Sequence, residues 1–169
     1  MRSVDAIVNT TNSSLLGSVD SALRPKRELR RTETTMWDDY EGGCFCGAVR
    51  FRLTGPISQA CYCHCESCRR AAGAPYVAWC TVDRERFTLT RGELTLHASS
   101  PRVARGFCGR CGTSITYSHE ARHDIDITIV TLDEPERVVP TRHLWIADKL
   151  RWVELGDGLP QFEEFSGST

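Results

Sequence analysis

The sequence predicts a mainly β domain with one short helix, organised around metal-binding cysteines. Short runs of β-branched and aromatic residues recur between Gly and Pro turns from Tyr40 onward. Only residues 66–72, followed by Gly73 and Pro75, read as a helix. Eight of the nine cysteines fall in three tight groups: Cys44-Phe45-Cys46, Cys61-Tyr62-Cys63-His64-Cys65-Glu66-Ser67-Cys68, and Cys108-Gly109-Arg110-Cys111. Many short strands with a single helix imply packed sheets, and thiols at this density imply soft-metal ligation.

In order, Gly42-Gly43 precedes Cys44, and Val49, Phe51 and Leu53 alternate with Arg50 and Arg52, the period of a half-buried strand. Gly55-Pro56 turns the chain into a strand over residues 57–63 that leads to the central cysteines. Residues 76–82 are rich in aromatic and β-branched side chains. Residues 87–90 and 94–96 read as a pair joined around Gly92, and residues 101–107 and 113–117 flank the Cys108–Cys111 knuckle. The run from Asp124 to Leu132 is the clearest strand; Pro135 and Pro140 mark a loop, and residues 143–146 and 152–155 are short apolar segments. Asp157-Gly158-Leu159-Pro160 is a turn.

Residues 1–36 stand apart: rich in Ser, Thr, Asn and Arg, without cysteine, and expected to form a disordered tail ahead of a domain over residues 37–165. Within them, residues 4–20 resemble the first ADP-ribose-binding loop of macrodomains, with Asp5, Asn9 and Asn12 at the matching positions. The glycine run and the sheet of that fold are missing, so the stretch reads as a fusion remnant or an upstream start before Met36.

The chain has 169 residues, 40% hydrophobic and 25% charged, with net charge −1. There is no global basic field for nucleic acid, and residues 37–169 carry 15 basic against 18 acidic side chains. No apolar run is long enough for a membrane span, and the start lacks the order of a secretory signal. A cytoplasmic location is therefore expected, where cysteines serve as metal ligands rather than bridges.

Cys108-x-x-Cys111, flanked by Gly109 and Gly112, supplies half a tetrahedral site; Cys44-x-Cys46, with both thiols on one side of an extended chain, is a candidate for the other half. Spacing alone leaves the pairing open. Cys61 lies two residues before Cys63, so in extended chain the two thiols point the same way and Cys61 could close a site formed by Cys63, Cys65 and Cys68. We expect that site to be open. Cys80, inside a strand, is expected in the core. His64 either shuttles a proton, orders a bound thiol, or faces solvent. Arg69, Arg70, Arg102 and Arg105 are candidates for binding substrate carboxylates, and Trp79, Trp145 and Trp152 for core or cavity wall.

Residues 42–51 (Gly-Gly-Cys-Phe-Cys-Gly-Ala-Val-Arg-Phe), Cys63-His64-Cys65-x-x-Cys68-Arg69-Arg70-x-x-Gly73, and Arg105-Gly106-Phe107-Cys108-x-x-Cys111-Gly112-Thr113 resemble the glutathione-dependent formaldehyde-activating enzyme family, to which centromere protein V also belongs. The match runs through Ala78-Trp79, Ser99-Ser100-Pro101-Arg102, Thr131-Leu132-Asp133, His143-Leu144-Trp145 and Asp157-Gly158-Leu159-Pro160, covering about residues 40–162. The resemblance implies a small β-tent of antiparallel sheets and two zinc ions. Cys44, Cys46, Cys108 and Cys111 would hold a structural zinc, and Cys63, Cys65 and Cys68 a catalytic one with an open position. It implies a carbon–sulfur lyase that adds glutathione, or a similar thiol, to formaldehyde or another small aldehyde. The competing expectation is a non-enzymatic zinc-binding interaction module with a closed second site. Methionine sulfoxide reductases share a related β architecture and a four-cysteine zinc, but their late catalytic thiol has no counterpart after Cys111.

Overall fold

A computed structural model describes residues 39–165. The macrodomain-like stretch and residues 1–36 lie outside them. Ten strands and one helix follow in order: β1 (Tyr40–Gly43), β2 (Arg50–Leu53), β3 (Gln59–Cys63), α1 (Glu66–Ala72), β4 (Val77–Asp83), β5 (Phe87–Arg91), β6 (Thr95–Ser100), β7 (Val103–Phe107), β8 (Ser114–His119), β9 (Asp124–Thr128) and β10 (His143–Leu144). They form a three-stranded sheet, β1-β2-β5, and a seven-stranded sheet, β10-β3-β4-β9-β8-β7-β6. All pairings are antiparallel except β10 on β3. This is the mainly β architecture of antiparallel sheets expected, here two of them, with its one α-helix directly after the central cysteines.

The pleat divides the large sheet's side chains between two environments. Ala60, Cys80, Val82, Ile125 and Ile127 turn to one face and form a core with Val49, Phe51 and Leu53 of the small sheet. Cys61 and Cys63 of β3 and Trp79 of β4 turn to the other, where they pack with Cys68 of α1 and Leu144 of β10. Strand β8 serves both faces. The pairing slips between Gly106–Thr116 and Phe107–Ser114, leaving Ile115 as an extra residue. This bulge lets Ile115 enter the core while Tyr117 reaches the opposite face.

Helix α1 is capped by the Cys65 sulfur, which accepts from the Cys68 amide at 3.3 Å, and ends at Gly73 in the left-handed conformation with φ 63°. The other glycine that shapes the fold is Gly92, at φ 67°, where a Cβ would lie 2.2 Å from the Ala48 carbonyl oxygen. That close approach corrects the expected pairing of residues 87–90 with 94–96. β5 closes the small sheet on β2, the chain crosses at Gly92, and β6 pairs with β7 at the edge of the large sheet.

Two further expectations change. The run from Asp124 to Leu132 stops being a strand at Thr128, whose hydroxyl donates to the Ser114 and Ile115 carbonyls while Thr131 donates to the Thr128 carbonyl at 2.7 Å. With the Leu132 amide donating to the Ile129 carbonyl at 3.0 Å, these bonds hold residues 129–131 in a 3-10 helix against their β propensity. Trp152 is 70% exposed and joins no core or wall.

Phe51 is fully buried, and a Cβ at Gly42 would lie 2.4 Å from its ring and 2.6 Å from the Thr131 carbonyl oxygen. Both distances are too short for a methyl group, so Gly42→Ala must shift the Phe51 ring and the Thr131 backbone alike. We expect a loss of about 1–3 kcal/mol, read as a lower urea midpoint at unchanged slope.

Candidate active site and cysteine clusters

The described residues hold two groups of cysteines whose sulfur atoms lie within 4.8 Å of one another: Cys44, Cys46, Cys108 and Cys111, and separately Cys63, Cys65 and Cys68. All nine cysteines are free thiols.

The four-sulfur group joins the two sheets. Cys44 and Cys46 lie in the loop between β1 and β2, and Cys108 and Cys111 between β7 and β8. Sequence alternation anticipated the meeting of Cys44 and Cys46 for the wrong reason. The chain there is a tight turn, closed by the Gly47 amide on the Cys44 carbonyl at 3.0 Å, with Gly47 at φ 71°. The two sulfurs lie 3.6 Å apart, and Cys46 is 3.9 Å from Cys108. The Val49 amide donates to the Cys44 sulfur at 3.2 Å. The Thr113 hydroxyl lies 3.2 Å from the Cys111 sulfur; with the Thr113 backbone it pushes that thiol down to about 5. Thiol-only donors in this number suit a closed tetrahedral soft-metal site.

The three-sulfur group follows from a change of direction. Cys63 ends β3, Cys65 caps α1, and Cys68 lies in its first turn, so the strand-to-helix bend folds three thiols onto one point. Hydrogen bonds from Cys63 and Cys65, with the nearby Arg105 guanidinium, pull the Cys68 thiol far below its ordinary range, while hydrogen bonds with Cys65 and Cys68 push Cys63 up. Arg105, itself buried, donates to the Cys68 sulfur from Nη1 at 3.6 Å and Nη2 at 3.7 Å. Its guanidinium sits 5.0 Å over the Tyr117 ring, and Nε donates to the Ser99 hydroxyl at 3.2 Å.

These sulfurs open onto a cavity of about 490 Å³ whose walls include Cys61, Trp79, Arg105, Tyr117, Arg122 and Asp126. Cys61 shares the cavity but stands outside the three-sulfur group. It lies two residues earlier on the same straight strand, a rise of about 7 Å, and no bend brings it back. Burial pushes its thiol up to about 12, so it is a neutral wall group. Cys80 is fully buried on the opposite face, in the core as expected.

Of the four arginines singled out, Arg105 alone lines the cavity. Arg69 donates from Nε to the His64 carbonyl at 2.9 Å, Arg70 is exposed and pairs with Glu66, and Arg102 occupies the β6–β7 turn at φ 65°. Trp79 and Trp145 are wall residues. Sequence reading missed Tyr117, Arg122 and Asp126. The signal was present in Asp124-Ile125-Asp126-Ile127, since a strand that buries both isoleucines must turn both aspartates to a shared second face.

His64 neither lines the cavity nor faces solvent. The turn after Cys63 sends it behind the thiols, fully buried, where its Nε2 meets Nδ1 of His143 at 3.0 Å. Nε2 of His143 in turn donates to Asp157 at 2.9 Å. A carboxylate only accepts, so a neutral His143 accepts at Nδ1, His64 donates from Nε2, and His64 Nδ1 keeps a buried lone pair without a partner.

The sequence profile of the glutathione-dependent formaldehyde-activating enzymes matches residues 39–148. The chain belongs to this family. A family relative in Halomonas elongata, provisionally named a glutathione-dependent formaldehyde-activating enzyme, is 30% identical over 131 residues, covering 68% of this chain and 80% of that protein. An uncharacterized lyase of Schizosaccharomyces pombe is 31% identical over 81 residues; the match covers 48% of this chain and 58% of the yeast protein's length. A solved structure from Rhodobacter sphaeroides aligns with TM-score 0.48 at 20% identity, covering 72% of this chain and 98% of that one.

Burial, then the proximity of His143, lowers His64 to about 4. An unfolded His64 takes up its proton near pH 6.5 and the folded one only near pH 4, so stability is lost as pH falls through that window. His64→Gln removes the titration. The stability difference between wild type and His64→Gln should shift in the variant's favour by about 2–3 kcal/mol from pH 7 to pH 4, measured by urea unfolding at each pH.

Proposed function

We propose that this protein is a zinc-dependent carbon–sulfur lyase that joins glutathione, or a similar thiol, to formaldehyde or another small aldehyde. The observation that carries this reading is the three-sulfur cluster opening onto a walled cavity, with Cys61 outside the cluster. Cys63, Cys65 and Cys68 would hold a zinc with one open position, and Cys44, Cys46, Cys108 and Cys111 a closed structural one. When bound at the open site, zinc supplies stabilisation of a substrate thiolate and Lewis acidity toward a carbonyl oxygen.

In the reaction the substrate sulfur forms a bond to the aldehyde carbon, the carbonyl π bond breaks, and the oxygen takes a proton, giving S-hydroxymethylglutathione from formaldehyde. Within the chain, Arg105 fixes the Cys68 sulfur from the side facing the cavity, which orients the cluster and offsets its charge. Trp79 and Tyr117 restrict water over the sulfurs. Cys61, held as a neutral thiol by burial, leaves the open position to substrate. The alternative of a closed, non-enzymatic module would require Cys61 as fourth ligand, and its place outside the cluster argues for the enzyme. Nine free thiols also suit a reducing, cytoplasmic setting. Among the described residues no helix is long and apolar enough to cross a membrane.

Two measurements test this. Elemental analysis should find two zinc ions per chain in the wild type and in Cys61→Ser, and one in Cys65→Ser. NMR exchange between free and adduct signals in a glutathione–formaldehyde mixture should be accelerated by wild-type protein over the spontaneous rate, and return to that rate with Cys65→Ser. An unaccelerated exchange with zinc-loaded wild type would remove the named reaction.

A further inference from the structure

The floor of the cavity is a straight polar row across the large sheet. Gln59 of β3 pairs with Thr81 of β4, Thr81 with Asp126 of β9, Asp126 with Tyr117 of β8, and Tyr117 with Arg105 of β7. Laterally paired residues share a face, and all five line the cavity. At the usual strand spacing, Asp126 and Arg105 stand about 10 Å apart across this floor.

The two ends of the row differ in charge balance. At one end the Arg105 guanidinium lies against the sulfur of Cys68. At the other, among the described residues, one guanidinium faces two carboxylates: Arg122 Nε lies 2.7 Å from Asp124 and Nη1 3.4 Å from Asp126. One negative charge is left over there. Asp126 takes a hydrogen bond from the Thr81 hydroxyl at 2.6 Å, yet its carboxylate is largely removed from water, and this burial raises it despite the bond from Thr81. A half-compensated carboxylate on a cavity wall attracts a cationic donor. Arg122, already shared between two anions, has no surplus positive charge with which to draw a third.

We propose that Asp126 is the seat of a primary ammonium group on the thiol substrate, making the enzyme selective for thiols that carry an amine some way along the chain from the sulfur. This rests on the reading of the cavity as a thiol-binding site. In glutathione the group is the free amine of the γ-glutamyl residue, at the opposite end of the molecule from its glycine carboxylate. The sulfur occupies the cluster, the body of the ligand lies over Trp79 and Tyr117, and the ammonium reaches Oδ2 of Asp126, the oxygen that Arg122 meets only at 3.4 Å. The residue binds substrate and takes no part in the bond-forming step.

The test separates recognition from turnover. Calorimetry on the zinc-loaded chain uses S-methylglutathione, whose sulfur cannot ionise, and its counterpart with a glutaryl in place of the γ-glutamyl group, identical but for the amine. Wild type should bind the amine-bearing compound at least about tenfold more tightly, the range of a charge-assisted hydrogen bond. Asp126→Asn, which keeps the size and the Thr81 contact, should bind the two alike. Equal affinities in wild type, a preference that survives in Asp126→Asn, or no binding of S-methylglutathione would each overturn the assignment. Should Asp126→Asn fail to fold, equal affinities on wild type would still overturn the assignment, and Asp126→Ser would take the variant's place, since Glu66 and Asp148 also line the cavity. A chain that prefers the amine but does not accelerate the glutathione–formaldehyde exchange loses only the named reaction. One that accelerates exchange without preference loses only the role of Asp126.

Discussion

The strict alternation of side chains along β3, β4 and β9 is the constraint on which the molecule depends. Each of these central strands faces a dry core on one side and the cavity on the other. Cys80 and Cys61 show what that means for chemically identical groups. The first is packed among aliphatic side chains between the sheets; the second stands beside ionised residues at the mouth of the thiol cluster. Neither role could be exchanged without a slip of register, and a slip would carry every neighbour to the wrong side as well. The core holds the sheet, and the sheet in turn spaces the polar groups of the floor.

The two cysteine groups solve different problems with the same atom. The four-sulfur group lies where loops of both sheets converge, and Cys44 and Cys108 belong to the core between them, so whatever occupies it clamps the small sheet to the large one at the margin of that core. The three-sulfur group owes its shape to a single bend, and is braced from both sides: Arg105 from the cavity, and His64, His143 and Asp157 from behind. Since His143 belongs to the parallel edge strand and Asp157 to the turn after it, the end of the described chain is tied to the back of the cluster.

Much of this was legible in the sequence because it rests on local patterns. Dense cysteines, the helix between Cys65 and Gly73, and the alternation of Val49, Phe51 and Leu53 each require only neighbouring residues to interpret. What escaped was non-local or competitive. Gly92 looked like a hairpin turn because nothing nearby reveals that the Ala48 carbonyl fills its missing side-chain space. The strand at Asp124 ended early because two threonine hydroxyls outbid the ladder for backbone carbonyls. His64 was judged by its neighbours in sequence, whereas its true partner is 79 residues away. The floor residues Tyr117, Arg122 and Asp126 come from strands distant from the cysteines, and only the pairing order of the sheet assembles them.

The bulge at Ile115 separates two duties of one strand. Without the extra residue, Ile115 and Tyr117 would be bound to the same face, and an aromatic floor would come at the expense of an aliphatic core. With it, the first part of β8 answers to packing and the second to chemistry. Chain length at this single point is therefore a tuning device. Adding or removing one residue would re-aim everything from Thr116 to His119 while leaving the hydrophobic interior before it in place.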